Sequence, residues 1–189
     1  MDNQTLILIL IAVGVLLAAG LLTWYATRIG RSRKLREKFG PEYDYTMEKE
    51  GDRRTAEEIL LEREKRVNKL DIQPLDPNTL DRYQAEWAEI QADFVDKPLE
   101  SVKEANRLII EVMVSRGFPV ADFEQRSADI SVLYPDFVSN YRNAHAIAVM
   151  SQNNGTSTED LRQAMVYYRS LFEELLETEK TTEMEVIVS

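Results

Sequence analysis

The chain holds a single histidine, His145, and no cysteine. An imidazole titrates near neutrality, so a histidine beside a carboxylate is the smallest set that could run general acid–base chemistry. His145 follows Tyr141 by four residues and Val138 by seven, beside the apolar side of a helical segment. As a functional group it would be a general base or a pH-sensitive switch. As a structural group it is a histidine satisfied at the core boundary. The second reading is preferred, because no partner constellation stands near it in the sequence.

Charged residues at helical spacing supply the other candidates. Arg126 and Asp129 are i,i+3, Arg142 and His145 are i,i+3, and Arg169 and Glu173 are i,i+4. Such pairs share a helix face. Together with Tyr141, the residues Arg126, Asp129, Arg142 and His145 could converge on a groove that recognises an acidic or aromatic motif. They could equally be surface ion pairs worth about 0–1 kcal/mol each, which is the preferred reading. No catalytic residue is assigned. Without cysteine, and with one histidine, a typical structural zinc site cannot form. The Glu-x-x-His repeat of di-metal bundles is missing, as are phosphate-binding glycine loops, so neither a metal nor a cofactor is expected.

The elements that would position these groups read as helices throughout. No stretch after residue 38 alternates with period two between hairpin turns. Residues 39–51 accommodate a short helix between a Gly-Pro break and Gly51. Residues 52–70 are densely charged. Their narrow apolar stripe of Ala56, Leu60, Val67 and Leu70 is interrupted by Arg63, and Glu62 and Arg66 form an i,i+4 pair. That pattern predicts a stalk, in preference to a partner-binding helix or weak coiled coil.

A domain of about five helices is expected over 71–177. Asp76-Pro77 is an N-cap with proline at the first helical position. Leu80, Tyr83, Trp87, Ile90 and Phe94 form one seam. Val102, Ala105, Leu108, Ile109, Val112 and Met113 form the next, closed by Gly117. A shorter helix fits 121–132, and Pro135 opens another through about 152. Ser157 with Asp160 makes a capping box for a last helix carrying Leu161, Ala164, Met165, Tyr168, Leu171, Phe172 and Leu175. Residues 178–189 read as a flexible tail.

The N-terminal stretch carries a different signal. Leu6 to Ala26 is 21 residues without a charge, followed by Arg28, Arg31, Arg33, Lys34, Arg36 and Lys38. At about 1.5 Å per residue such a run matches the hydrocarbon thickness of a bilayer. The sequence therefore predicts a transmembrane helix over 6–27 and a basic flank and charged helical connector over 28–70. Trp24 and Tyr25, with Arg28, Arg31, Arg33 and Lys34, would lie at the membrane interface. The leader before Leu6 carries no Lys or Arg, which favours a retained anchor over a cleaved signal peptide. The positive-inside rule places the N-terminus outside and the rest in the cytoplasm, at the inner membrane. Residues 28–38 would touch anionic lipid headgroups. Gly14 and Ala18 offer a small-xxx-small face for a homodimer.

Charge limits the partners. The chain has net charge −10, and residues 39–189 carry 17 Lys+Arg against 31 Asp+Glu. A body this acidic repels nucleic acid, so no nucleic-acid role is expected. The absence of cysteine fits a reducing compartment.

The stretches Lys34-Leu-Arg-Glu-Lys-Phe-Gly-Pro-Glu-Tyr43, Asp122-Phe-Glu-Gln-Arg-Ser-Ala-Asp129, Asn140-Tyr-Arg-Asn-Ala-His145 and Ser157 to Arg169 resemble a family of bacterial single-pass membrane or secreted proteins with a soluble helical part. The resemblance implies a bacterial origin and the same architecture. It brings no activity, cofactor or site residue. The functional expectation is a membrane-tethered cytoplasmic helical domain serving as a protein-interaction or adaptor module with an unidentified protein partner. Any of Trp87, Tyr134, Tyr141 and Tyr168 that proved exposed would mark its contact surface, although a core position is the preferred reading for each. The alternatives are a membrane-anchored hydrolase using His145 and a self-associating structural membrane protein.

Overall fold

Proline and aspartate set most of the helix starts. The computed structural model describes residues 30–151 and 156–188, with positions 4, 14, 16 and 20; for 178–188 it describes the backbone. Those residues are helical, with turns between, and contain no strand. The expectation of an all-α protein is met among them. The chain divides into two compact units, Met1–Glu57 and Glu58–Ser189.

The transmembrane expectation is corrected. Among the described residues, no helix is long and apolar enough to cross a membrane. A span needs about 20 predominantly apolar residues in succession. The long described helices are broken by charge, as at Lys103, Glu104 and Arg107. The membrane and single-pass descriptions therefore have no spanning helix to rest on among the described residues. Most of 6–27, with Trp24, Tyr25 and Ala18, lies outside the described residues, as does Arg28.

In the first unit, residues 30–39 are helical and Gly40 turns the chain at φ 48° into α1, Pro41–Glu50. Gly51, in the left-handed region at φ 68°, ends α1. Asp52 then caps α2, Arg53–Val67, by accepting from the Thr55 amide at 2.9 Å. Tyr43 Oη and Arg53 Nε both donate to Glu57 Oε1 at 2.9 Å, tying α1 to the start of α2.

The second unit holds the rest of α2 and five further helices. These are α3 (Pro77–Asp93), α4 (Pro98–Ser115), α5 (Phe123–Leu133), α6 (Val138–Ser151) and α7 (Thr158–Val188). Asp76 caps α3 by accepting from the Thr79 amide at 3.1 Å. Asp122 caps α5 in the same way, from the Gln125 amide at 2.9 Å. At α7 the capping box is reciprocal. The Asp160 amide donates to Ser157 Oγ at 3.1 Å, and the Ser157 amide donates to Asp160 Oδ2 at 2.9 Å. The helical backbone of α7 continues through residues 178–188, which sequence analysis reads as a tail.

Helix α4 is the central element, packed against α3, α6 and α7, while α6 and α7 pack most extensively on each other. Every residue of its expected seam, Val102 to Met113, is buried. Trp87 of α3 stacks on Phe172 of α7 with centroids 4.6 Å apart. The α4 terminus is a Schellman turn: the Phe118 amide reaches Met113 O and the Gly117 amide reaches Val114 O, each at 3.0 Å. Next to it Arg116 is buried and donates to Tyr134 Oη and Leu175 O, each at 2.7 Å. One guanidinium thereby joins the ends of α4 and α5 to α7.

Candidate functional site

The groups singled out from sequence do not form one cluster. Arg126 Nε donates to Tyr141 Oη at 3.0 Å, and its Nη1 donates to the Ala121 carbonyl. Arg126 thus braces the first turn of α5 against α6. Tyr141 is fully buried; burial raises its phenol pKa, opposed by Arg126. Its ring lies 5.3 Å from Phe123 and 6.2 Å from Tyr168. His145 stacks flat on Phe123 with centroids 3.6 Å apart. Its pKa is lowered, first by desolvation and then by the Arg126 charge, against an opposing pull from Glu124. Its ring nitrogens have no hydrogen-bond partner among the described residues. A general base is usually oriented by a hydrogen bond to a second group, and among the described residues no such bond reaches His145. Arg142 is half-buried one turn before His145. The Arg169–Glu173 pair forms at 2.6 Å, exposed on α7.

None of the four aromatics named from sequence is exposed, so none can mark a contact surface, and the core reading of each holds. Trp87, Tyr134, Tyr141 and Tyr168 are all buried core residues, because each falls on the inward stripe of its helix or turn.

Asp129 leads elsewhere. It is 1% exposed, and its Oδ1 accepts from Arg66 Nη2 at 2.6 Å, Arg66 Nε at 3.1 Å and Gln125 Nε2 at 3.0 Å. Two residues on, Arg63 Nη1 donates to Ser131 Oγ at 3.3 Å, and Ser131 Oγ donates to Ala128 O at 2.7 Å. Side chains of α5 thus hold two guanidiniums of α2 from behind. The sequence pairing of Arg66 with Glu62 gives way to this longer-range one.

In front of those guanidiniums is a groove of about 450 Å³, lined by Ile59, Glu62, Arg63, Lys65, Arg66 and Lys69 of α2 and the turn after it, and by Ala128 of α5. Four of its seven lining residues are cations and one is a carboxylate. The Lys65 and Lys69 ammonium groups have no partner among the described residues. The Nη1 of Arg66 is likewise without an acceptor there.

Two other grooves contrast with it. One of about 220 Å³ between α3 and α4 is lined by five carboxylates with Lys97, Arg107, Ile90 and Ser101. Most of its charge is already matched: Arg107 meets Glu86 and Glu104 at 2.6 Å each and also pairs with Glu111. Those carboxylates raise the Arg107 pKa. Lys97 lies 3.9 Å from Asp93, and Glu100 binds Lys103 at 3.0 Å. The other, of about 430 Å³ in the first unit, is lined in part by Arg33, Arg36 and Arg53. Each has its own carboxylate: Glu37 at 2.9 Å, Asp44 at 2.7 Å and Glu57 at 2.9 Å. Of the basic residues expected at a membrane interface, Arg33 is therefore paired, while Arg31 and Lys34 are exposed.

Sequence reasoning found Asp129 but missed Arg63, Lys65, Arg66 and Lys69. A signal was present. Ala56, Leu60, Arg63, Val67 and Leu70 step by 4, 3, 4 and 3, so Arg63 occupies an inward position of an otherwise apolar seam. A charge on that stripe must reach a polar partner on the element it faces. Among the described residues no group of three or more His, Asp or Glu is placed to hold a metal ion. No family model, curated protein or solved structure matches the chain.

Proposed function

We propose that this protein is an interaction module that holds an acidic segment of a partner protein in the cationic groove between α2 and α5. The observation that carries this reading is the pair of unmatched ammoniums, Lys65 and Lys69, beside two guanidiniums fixed by Asp129 and Ser131. The cations of the two other grooves already face carboxylates of their own. Guanidiniums held from behind spend less rotamer entropy on binding, and unpaired ammoniums have no internal carboxylate to give up. Exposed ion pairs contribute about 0.2–1 kcal/mol each, so the groove suits a reversible contact with a few carboxylates.

The test is binding of a fluorescent Glu-rich peptide to the full chain, followed by anisotropy. Saturable binding is expected, lost on the double charge reversal Lys65→Glu/Lys69→Glu. Both lysines are exposed and unpaired, so the variant should keep its unfolding midpoint. Equal affinity in the wild type and the reversed protein, or no binding to either, would refute the assignment.

A further inference from the structure

The charge in the groove states more than a preference for acid. Glu62 is the one carboxylate that lines the groove, and Arg66 is bound to Asp129 behind it. Lys65 and Lys69, without a partner among the described residues, present two positive charges there. A carboxylate brings one negative charge. A phosphate monoester brings about −1.5 to −2 near pH 7, with three acceptor oxygens. The donors have the form that a tetrahedral dianion uses: a guanidinium with one nitrogen edge on Asp129 and its Nη1 without an acceptor, plus two point-charge ammoniums. Ile59 and Ala128 add apolar wall for whatever flanks the charged group.

The source of the dianion follows from the rest of the chain. Residues 39–189 carry 17 cations against 31 anions, a field that opposes an extended polyanion such as a nucleic acid or an anionic membrane. A single phosphate on an otherwise uncharged segment feels mainly the charges within a Debye length, about 8 Å at physiological salt. Building on the groove as the recognition surface, we propose that its ligand is a phosphorylated side chain of a partner protein. Asp129 acts here as a positioning residue, since it touches Arg66 rather than the ligand.

The experiment uses the full chain and three short Gly/Ala peptides that differ at one central residue: phosphoserine, glutamate or serine. The phosphoserine peptide should bind about tenfold more tightly than the glutamate peptide, a gap of the size expected for one added charge-assisted contact. Its advantage should shrink several-fold between about pH 7.5 and about pH 5.5, as the phosphate gains its second proton near pH 6. The glutamate peptide should show no such loss. Lys65→Gln/Lys69→Gln should remove the advantage while leaving the unfolding midpoint in place. Equal affinity for the phosphoserine and glutamate peptides, lost in the double variant, would overturn the phosphate assignment and leave the groove's preference for acidic segments standing. Failure of every acidic probe would overturn both. Tighter binding, dependent on Lys65 and Lys69, to vesicles containing phosphatidylserine or to a single-stranded oligonucleotide would overturn the assignment to a protein.

Discussion

At Asp129 one carboxylate oxygen accepts three hydrogen bonds, two from Arg66 and one from Gln125, with the residue almost wholly enclosed. Neutralising it weakens two charge-assisted bonds to a guanidinium that is itself about one third exposed. Asp129→Asn should therefore cost about 1–3 kcal/mol in urea unfolding. It should also weaken peptide binding, because Arg66 is no longer held in the groove. An unchanged midpoint would show that the pair does not hold α2. His145 gives a second prediction. Burial and Arg126 keep its folded pKa below the ordinary value near 6.5, so the unfolded chain takes up a proton first. The stability it contributes is complete above about pH 6.5 and is lost as pH falls through the folded value. His145→Gln should flatten the pH dependence of the unfolding midpoint in that window. A slope that survives the substitution would place the titration elsewhere.

Among the elements, the turn after α4 is the most constrained. Gly117 sits at φ 100°, and a Cβ there would lie 2.2 Å from the backbone oxygen of Asp71. Gly117→Ala meets a left-handed backbone and a clash that no side-chain movement relieves, so a loss of about 2 kcal/mol or more is expected in chemical denaturation. A loss under about 0.5 kcal/mol would show that the Asp71 segment yields easily. This turn was legible in the sequence, as were the caps at Asp76 and at Ser157 with Asp160, because each signal lies within four residues of the structure it makes. The inward seams of α3, α4 and α7 were legible for the same reason, since period 3.6 is local. The docking of α2 was not. It depends on Arg63 meeting Ser131 and Arg66 meeting Asp129, partners 68 and 63 residues away, and no periodicity within 52–70 encodes them. Arg63 in the apolar stripe was the trace they left. The helical backbone over 178–188 was not legible, because Thr178, Thr181, Thr182, Val186, Ile187 and Val188 are β-branched and argue locally against a helix.

For the whole molecule, a net charge of −10 and a locally cationic groove act over different distances. The overall field sets which partners approach, and the groove sets where they are held. Carbodiimide coupling of a bound Glu-rich peptide to the full chain, with the joined lysines located by mass spectrometry, reads that placement directly. The cross-links should fall on Lys65 and Lys69 and disappear with an excess of unlabelled peptide. Cross-links concentrated on Lys34, Lys97 or Lys103 instead, with Lys65 and Lys69 unmodified, would contradict the assignment of the groove.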